Sequence, residues 1–368
     1  MTLSMRITLV VEKFTPQGGG VERVAWEVAR GLRGAGDEVS VCAREVDSIS
    51  LPGVDVKRVR VTGRWQPWRT WRFSAAAAEV IQKARPDCVQ SFSRTRRQDV
   101  FRAGGGCHAR YMEQIYSARG EWLRRASPRH ALALAMEKAV FSDPAQLILC
   151  NSEMVRDEIG ERFGVGEERL RVIHNGVDVD RFRPRRRDES INRDQFERNW
   201  LLVGSGFRRK GVDTALAVMA MRPKDERLTV VGGDPRSAWV ARARALGLSD
   251  RIVFYGPSEN LPALYRQADG LLLPTRYDAF ANVCLEAAAS GLPVVTSGAN
   301  GAARWLADGA RVVSDPEDID GFAEALEAIR PEKLARSMGR AGRLRAESST
   351  WSDHVRALRS LYRSVAGE

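Results

Sequence analysis

Residues 270–297 read GLLLPTRYDAFANVCLEAAASGLPVVTS. The short apolar run GLLLPT (Gly270–Thr275) predicts a buried strand, and PVVTS (Pro293–Ser297) predicts another. Between them lie a loop carrying Asp278 and a helix carrying Glu286, with seven residues separating the two acids. Strand, loop, helix and strand in this order form the unit of a parallel sheet. Both carboxylates can then face the crevice at the carboxyl edge of that sheet, where open α/β sheets bind ligands. An ionised carboxylate only accepts hydrogen bonds, which suits the vicinal hydroxyls of a sugar. A solvated acidic loop and a surface Glu on an amphipathic helix are the plainer reading of the same residues.

The alternation extends outward in both directions. Upstream, NWLLVGS (Asn199–Ser205), LTVVGG (Leu228–Gly233) and RIVFYG (Arg251–Gly256) predict strands, separated by helical segments at 212–221, 238–247 and 261–268. Further upstream, RFRPRRRDESINRDQFER (181–198) is almost wholly polar and reads as a linker. Before it the pattern repeats. MRITLVV (Met5–Val11), EVSVC (Glu38–Cys42), DCVQSF (Asp87–Phe92), QLILCNS (Gln146–Ser152) and RLRVIHNGVD (Arg169–Asp178) predict strands, the last ending in an Asn-Gly turn. Helices are expected at 22–32 and at 154–164, the second closed by Gly164. Two runs of right-handed βαβ units predict two doubly wound α/β domains, 1–180 and 199–349, facing each other across residues 181–198. A last amphipathic helix is expected from Thr350 into the C-terminal residues, 350–368.

Composition narrows the function. A chain of 368 residues suits two domains of ordinary size. At 43% hydrophobic residues it is globular, and it lacks the ~18 consecutive apolar residues of a membrane-spanning helix. The N-terminus runs straight into a strand and does not read as a signal peptide. Five scattered cysteines show neither metal-ligand spacing nor a disulfide framework, which favours a reducing cytoplasm. The net charge of +11 favours anionic partners, such as phosphorylated lipid, nucleotide or nucleic acid, without choosing among them.

VGSGFRRKGVD (Val203–Asp213) places Gly206, Arg209 and Lys210 between a strand and a helix. Cations at a helix N-terminus are unfavourable unless an anion arrives. A diphosphate would be such an anion, bound by helix amides, by Arg bidentately and by Lys as a point charge. A solvated basic loop is the alternative, and the spacing is not that of a P-loop. Gly18, Gly19 and Gly20 precede the first helix and permit close backbone approach to a ligand, or simply a turn. A second triplet, Gly104–Gly106, stands beside His108, which is either a ligand-facing or a structural histidine; His174 reads as structural. Indoles and cations interleave at Arg64, Trp65, Trp68, Arg69, Trp71 and Arg72, and again around Trp122, Arg124 and Arg125. Such a surface suits an anionic membrane interface; core packing and single-stranded nucleic acid are the other readings.

Taken together, the Gly18–Gly20 loop, CNS (Cys150–Ser152), VIHNGVDVDRF (Val172–Phe182), GSGFRRKGVD (Gly204–Asp213) and the D-x7-E segment with LEAAASGLPVV resemble the family-4 retaining glycosyltransferases, over most of the chain and in the family's order. Within that family, RRKGVD and PTRYDAFANVCLEA look most like bacterial lipopolysaccharide core α-glucosyltransferases. The resemblance implies a GT-B fold: two Rossmann-like domains facing a central cleft, with the closing helix crossing back to the N-terminal domain. It implies that Arg209 and Lys210 neutralise the donor diphosphate, with Asp278 near the donor sugar hydroxyls and Glu286 on the ribose. Gly206 and the amides of Ala281, Asn282 and Val283 are implied at the donor, Gly19 and Gly20 near its phosphate, and His108 near the transferred sugar. Asp278 is a departure, one methylene shorter than the family's usual Glu.

The expected reaction is retaining transfer of a hexose, glucose by the resemblance, from a nucleotide diphosphate sugar such as UDP-glucose. The expected acceptor is a lipid-linked saccharide, the heptose region of lipopolysaccharide core. No metal and no cofactor beyond the donor is expected, nor is nucleic acid as a partner. The expected location is the inner face of the cytoplasmic membrane, held peripherally. A nucleotide-sugar epimerase of the same fold and a non-catalytic glycolipid-binding protein are the alternatives.

Overall fold

Near-continuous apolar runs make strands that are buried on both faces, which is what a parallel sheet covered by helices requires. The computed structural model describes residues 4–49, 51–63, 65–116, 118–125, 127–186, 188–190, 195–258 and 260–367. They form two units, one of residues 1–175 with 351–368 and the other of residues 176–350.

In the first unit, β1 (Arg6–Phe14), β2 (Glu38–Val46), β3 (Val54–Arg58), β4 (Cys88–Ser91), β5 (Val100–Ala103), β6 (Leu147–Cys150) and β7 (Leu170–Val172) alternate with helices α1 (Gly20–Gly34), α2 (Gln66–Ala84), α3 (His108–Ile115), α4 (Ala118–Arg125), α5 (Pro128–Ser142) and α6 (Glu153–Phe163). The sheet order is β3-β2-β1-β4-β5-β6-β7, with every neighbouring pair parallel. The order therefore reverses between β1 and β4.

In the second unit, β8 (Arg198–Val203), β9 (Glu226–Val231), β10 (Ile252–Tyr255), β11 (Gly270–Leu273), β12 (Val294–Ser297) and β13 (Ala310–Val313) form a parallel sheet of order β10-β9-β8-β11-β12-β13. Its helices are α7 (Val212–Met221), α8 (Ser237–Ala245), α9 (Leu261–Arg266), α10 (Asn282–Ala289), α11 (Ala302–Leu306), α12 (Ile319–Ala328) and α13 (Glu332–Glu347). The four residues of β11 and of β12 are all buried, so the segment 270–297 forms the middle of this core.

The last helix, α14 (Trp351–Ala366), belongs to the first unit. Val355, Leu358, Leu361 and Tyr362 form its buried stripe, and they join the core made by α1 and β1. The Tyr362 hydroxyl lies 2.8 Å from Gln90 Oε1 and ties α14 to β4.

Residues 181–198, read as a linker, are packed with the second unit where they are described. Phe182 and Phe196 are buried, and Phe182 meets the Tyr265 ring edge-on at 5.6 Å. Residues 187 and 191–194 lie outside the described residues. The strand expected over 169–178 is shorter: β7 stops at Val172. The Ile173 amide still donates to Cys150 O at 3.0 Å, and beyond it the carbonyl of His174 accepts a 2.6 Å hydrogen bond from His354 Nδ1. The five cysteines are buried thiols. Among the described residues no helix is long and apolar enough to cross a membrane.

Candidate active site

The order of the second sheet reverses between β8 and β11, so the loops that leave their carboxyl ends, 204–211 and 274–281, stand side by side. This is the switch point at which open α/β sheets bind ligands. Backbone and side chains stitch the two loops together. The Arg276 amide donates to Arg209 O at 2.8 Å, and Thr275 Oγ1 donates to the same oxygen at 3.1 Å. The Arg276 guanidinium grips Asp213 at 2.8 and 2.9 Å. Gly211, which caps α7 at φ +73°, is required here: a Cβ would lie 1.9 Å from Pro274 O.

This stitching brings Arg209, Lys210 and Asp278 together. Arg209 Nη1 donates to Asp278 Oδ2 at 2.8 Å, and Lys210 Nζ donates to the same oxygen at 2.6 Å. The Asp278 backbone is fixed by its amide on Ala299 O (3.0 Å) and by the Gly301 amide on its carbonyl (2.8 Å). Burial works against ionisation of Asp278, but Lys210 and Arg209 outweigh it and hold the carboxyl at about 2. The anion that the two cations require is thus built in. Sequence reasoning gave Asp278 to sugar hydroxyls and left the cations waiting for phosphate; in the structure its Oδ2 accepts from both cations.

The remaining residues expected in this unit are held in place by their own surroundings. The Gly206 amide donates to Asp234 Oδ2 at 2.7 Å, and the next amide, of Phe207, donates to Oδ1 at 3.1 Å. The Ala281 amide donates to Asn300 Oδ1 at 3.3 Å. Asn282 and Val283 occupy the first turn of α10, where backbone amides point out of the helix end. Glu286 is buried and accepts from the Tyr265 hydroxyl at 3.0 Å. Asp234, Tyr265 and Asn300 were missed by sequence reasoning. Nothing local marks them, since each acts from a distant element.

His108, Gly19 and Gly20 belong to the first unit. Gly19 caps α1, and Gly20 is its first residue. Val21 and Glu22, which follow the first glycine triplet, line a cavity of ≈ 620 Å³ that is also lined by Gly105, Gly106 and His108. His108 opens α3, and its Nε2 lies 2.9 Å from His130 Nδ1. Burial, then Arg94, His130 and Arg129, push His108 down to about 4, so it is neutral at pH 7. Glu137, on α5, is 1% exposed and anchors this corner. It accepts from the His108 amide at 2.7 Å and the Ala109 amide at 3.3 Å, with Arg94 at 3.3 Å as its counter-ion. Glu137 and His130 gave no sequence signal, because they read as ordinary positions on a helix.

The interleaved indoles and cations lie on the surface of the first unit. Trp65, Trp68, Trp71 and Trp122 are exposed, Trp122 by 74%. This excludes core packing for all four. Trp68 and Trp71 stack at 5.2 Å, with Arg72 over Trp68 at 5.6 Å and Arg96 over Trp71 at 5.9 Å. Arg69 pairs with Glu45 at 3.3 Å and Arg125 with Glu121 at 2.7 Å, whereas Arg124 lies over the Tyr116 ring at 5.2 Å. Arg64 lies outside the described residues. Helix α2 also contributes Pro67 and Thr70 to the wall of the cavity.

The chain is similar to known proteins over most of its length. A family model described as Glycosyltransferase Family 4 matches residues 18–181, and one described as Glycosyl transferases group 1 matches residues 197–330. The chain is 27% identical over 337 residues to the lipopolysaccharide glucosyltransferase WaaG of Escherichia coli, covering 88% of each. It is 30% identical over 349 residues to a probable transglycosylase of Burkholderia thailandensis, covering 90% of this chain and 86% of the relative. A crystal structure of WaaG superposes with a TM-score of 0.82 at 23% identity, over 98% of this chain and 100% of that one. Anabaena HepE in complex with UDP-glucose superposes with a TM-score of 0.73 at 16% identity, over 98% and 100%.

Proposed function

The chain belongs to glycosyltransferase family 4 and has the GT-B fold, and from that premise we propose that it transfers glucose from UDP-glucose to a lipid-linked saccharide, the heptose region of lipopolysaccharide core, with retention of configuration. The observation that carries the reading is the Arg209–Lys210–Asp278 cluster at the switch point of the second sheet. Two cations that share one carboxylate keep an excess positive charge at the N-terminus of α7, where a diphosphate is best received. During transfer the bond from the sugar to the diphosphate breaks and negative charge grows on the departing oxygen. Arg209 and Lys210, fixed in advance, stabilise that charge without reorganising, and no other group of the cluster could lower the barrier as much. They supply what a bound metal would otherwise supply, and we assign no metal or further cofactor to the reaction.

Asp278 is ionised, but its charge is committed to the two cations, which makes it a poor nucleophile. Front-face attack assisted by the leaving phosphate is therefore the route to retention. In this reading Gly206, Asn282 and Val283 border the donor, and Glu286, oriented by Tyr265, takes the ribose. His108, neutral at pH 7, offers a hydrogen bond to a sugar hydroxyl without carrying a competing charge. The acceptor occupies the cavity of the first unit beside Gly19, Gly20 and His108. The exposed tryptophans and their arginines rest on an anionic bilayer at the cytoplasmic face, indoles at the headgroup level and cations on phosphate. The name of the Escherichia coli relative and the ligand of the HepE complex support the choice of donor and acceptor.

A panel of nucleotide sugars read by thermal shift tests the donor: a ligand that binds the folded state raises the melting temperature. UDP-glucose is expected to give the largest rise, and Arg209→Ala or Lys210→Ala to lower turnover by tens- to a thousand-fold, the scale of losing one charge-stabilising group. Wild-type turnover in both variants would refute the role of the pair. Appearance of an epimerised donor in the absence of acceptor would replace the transferase with an epimerase.

A further inference from the structure

We propose that His130 is a positioning residue for His108: one proton shared between His130 Nδ1 and His108 Nε2 sets the tautomer of both rings, so that the pair offers one donor and one acceptor to the cavity of the first unit. This rests on the reading of His108 as a contact of a sugar hydroxyl. The two nitrogens lie 2.9 Å apart, and both residues line the cavity. Ring centres 5.1 Å apart match that hydrogen bond plus the two ring radii, and the planes differ by only 20°. The nitrogens therefore face each other close to the ring planes, as a hydrogen bond requires. Neighbouring rings hold this geometry: Tyr111 lies near-parallel to His108 with centres 5.9 Å apart, and Tyr116 meets His130 edge-on at 6.0 Å. Helix α5 thus holds His108 at two points on one face: Glu137 takes its backbone amide at 2.7 Å, and His130 takes its ring. His130 is 8% exposed. An apolar residue there would pack against Tyr116 without burying a second polar ring.

Burial and the arginines of three segments keep the pair neutral. After burial, Arg94 from the loop that follows β4, His130 itself and Arg129 on α5 act on His108; Arg129 and Arg124, on α4, act on His130. Glu137, the carboxylate of this corner, is occupied by Arg94 and by two amides. A neutral imidazole carries one N–H and one acceptor nitrogen. If His108 Nε2 donates, His130 accepts at Nδ1 and carries its proton on Nε2. If His130 Nδ1 donates, His108 accepts at Nε2 and carries its proton on Nδ1. Either way the two rings share one tautomer, and the remaining nitrogens, His108 Nδ1 and His130 Nε2, are one donor and one acceptor. Neither has a hydrogen-bond partner among the described residues. Sugar hydroxyls both donate and accept, so they satisfy both nitrogens, whereas a carboxylate or an ammonium satisfies only one. Without His130 the His108 ring would populate both tautomers, and part of the population would offer a hydroxyl the wrong group.

The test combines nitrogen NMR of the imidazole rings at neutral pH with release of UDP from UDP-glucose by the intact protein. The wild type is compared with His130→Asn, His130→Gln and His130→Leu. Asn places its amide where His130 holds Nδ1 and can take over the bond; Gln places its amide nearer Nε2, and Leu keeps bulk alone. In the wild type His108 and His130 should each show a single tautomer, and the same one. His108 should keep it in His130→Asn and pass to a mixture in the other two variants. The kcat/KM for UDP-glucose should stay within about two-fold of wild type in His130→Asn and fall further, up to about ten-fold, in His130→Gln and His130→Leu, the scale of one neutral hydrogen bond. Opposite tautomers in the two wild-type rings, or a mixture at His108, overturns the proposal without any variant. An unchanged His108 tautomer in His130→Leu overturns it as well, as does turnover that falls equally in all three variants, which would mark a packing role. Unchanged turnover in all three overturns the positioning role and leaves the donor reading to the Arg209 and Lys210 variants. A wild type that does not bind UDP-glucose counts against the donor reading, and the tautomers still decide the pairing.

Discussion

Replacing Asp278 by Asn removes the one charge that Arg209 and Lys210 share, at 2.8 and 2.6 Å. The structure sets the magnitude in two ways. The carboxyl is held at about 2 against 3.8 for a free one. At about 1.4 kcal/mol per pH unit, that gap corresponds to about 2–3 kcal/mol in favour of the folded, ionised form. The stabilisation is present above pH 3.8 and is lost as pH falls through the folded value near 2. Independently, removing one partner of a buried ion pair costs about 3–5 kcal/mol, because the other charge stays behind. The two figures meet near 3 kcal/mol. For a unit of this size, at about 2–4 °C per kcal/mol, the melting temperature should fall by roughly 6–12 °C.

Ligand binding should move the variant in the opposite direction. In Asp278→Asn a diphosphate is the only anion left to offset the two cations, so UDP should raise the variant's melting temperature by more than it raises the wild type's. Asp278→Glu, which keeps the charge, should lose little stability. Thermal melts of the three proteins with and without UDP decide the matter. If Asp278→Asn melts within about a degree of wild type, or gains no more from UDP, the cluster is not the charge-balanced phosphate site described here.

Gly211→Ala should cost about 2–3 kcal/mol, from the left-handed backbone and the collision with Pro274 O; an unchanged denaturant midpoint would show that the two loops can part freely. His354, which burial and then Arg102 depress to about 3, contributes stability that is fully present above pH 6.5 and is lost as pH falls toward the folded value. At pH 5 the loss should reach about 2 kcal/mol. His108 and His130, also pushed down, act in the same direction, and a urea midpoint that does not move between pH 7.5 and 5 would contradict these shifts. Trp68→Ala with Trp71→Ala should weaken co-sedimentation with anionic liposomes several-fold, while equal partitioning of the wild type onto neutral and anionic vesicles would remove the electrostatic account of that surface.

Most strands of the parallel sheets, the loops at their carboxyl ends and the closing amphipathic helix were legible in the chain, because hydrophobic periodicity and glycine placement are local signals; the short strands β3, β5 and β13 were not named. Less legible was the use each residue is put to. Arg209 and Lys210 announce a demand for negative charge, but only the adjacency of β8 and β11 shows that Asp278, sixty-eight residues from Lys210, meets it in the folded chain. Gly104 was legible only as part of a glycine triplet beside His108; the space where its Cβ would stand is taken by the Arg102 side chain. The pattern of residues 169–178 promised a longer strand than β7; in the folded chain the His174 carbonyl is instead bonded by His354, 180 residues along.

By itself the amino-acid order determined the architecture and the chemical kinds of the site residues: cations before a helix, acids after a strand, small residues where backbone must come close. These follow from propensity and from the spacing of apolar positions, which act within a few residues. The pairing of charges, the protonation of His108 and its hydrogen bond with His130 were decided by tertiary structure alone. Electrostatic energy depends on distance and on exclusion of water, and neither exists until segments far apart in the chain are packed against one another.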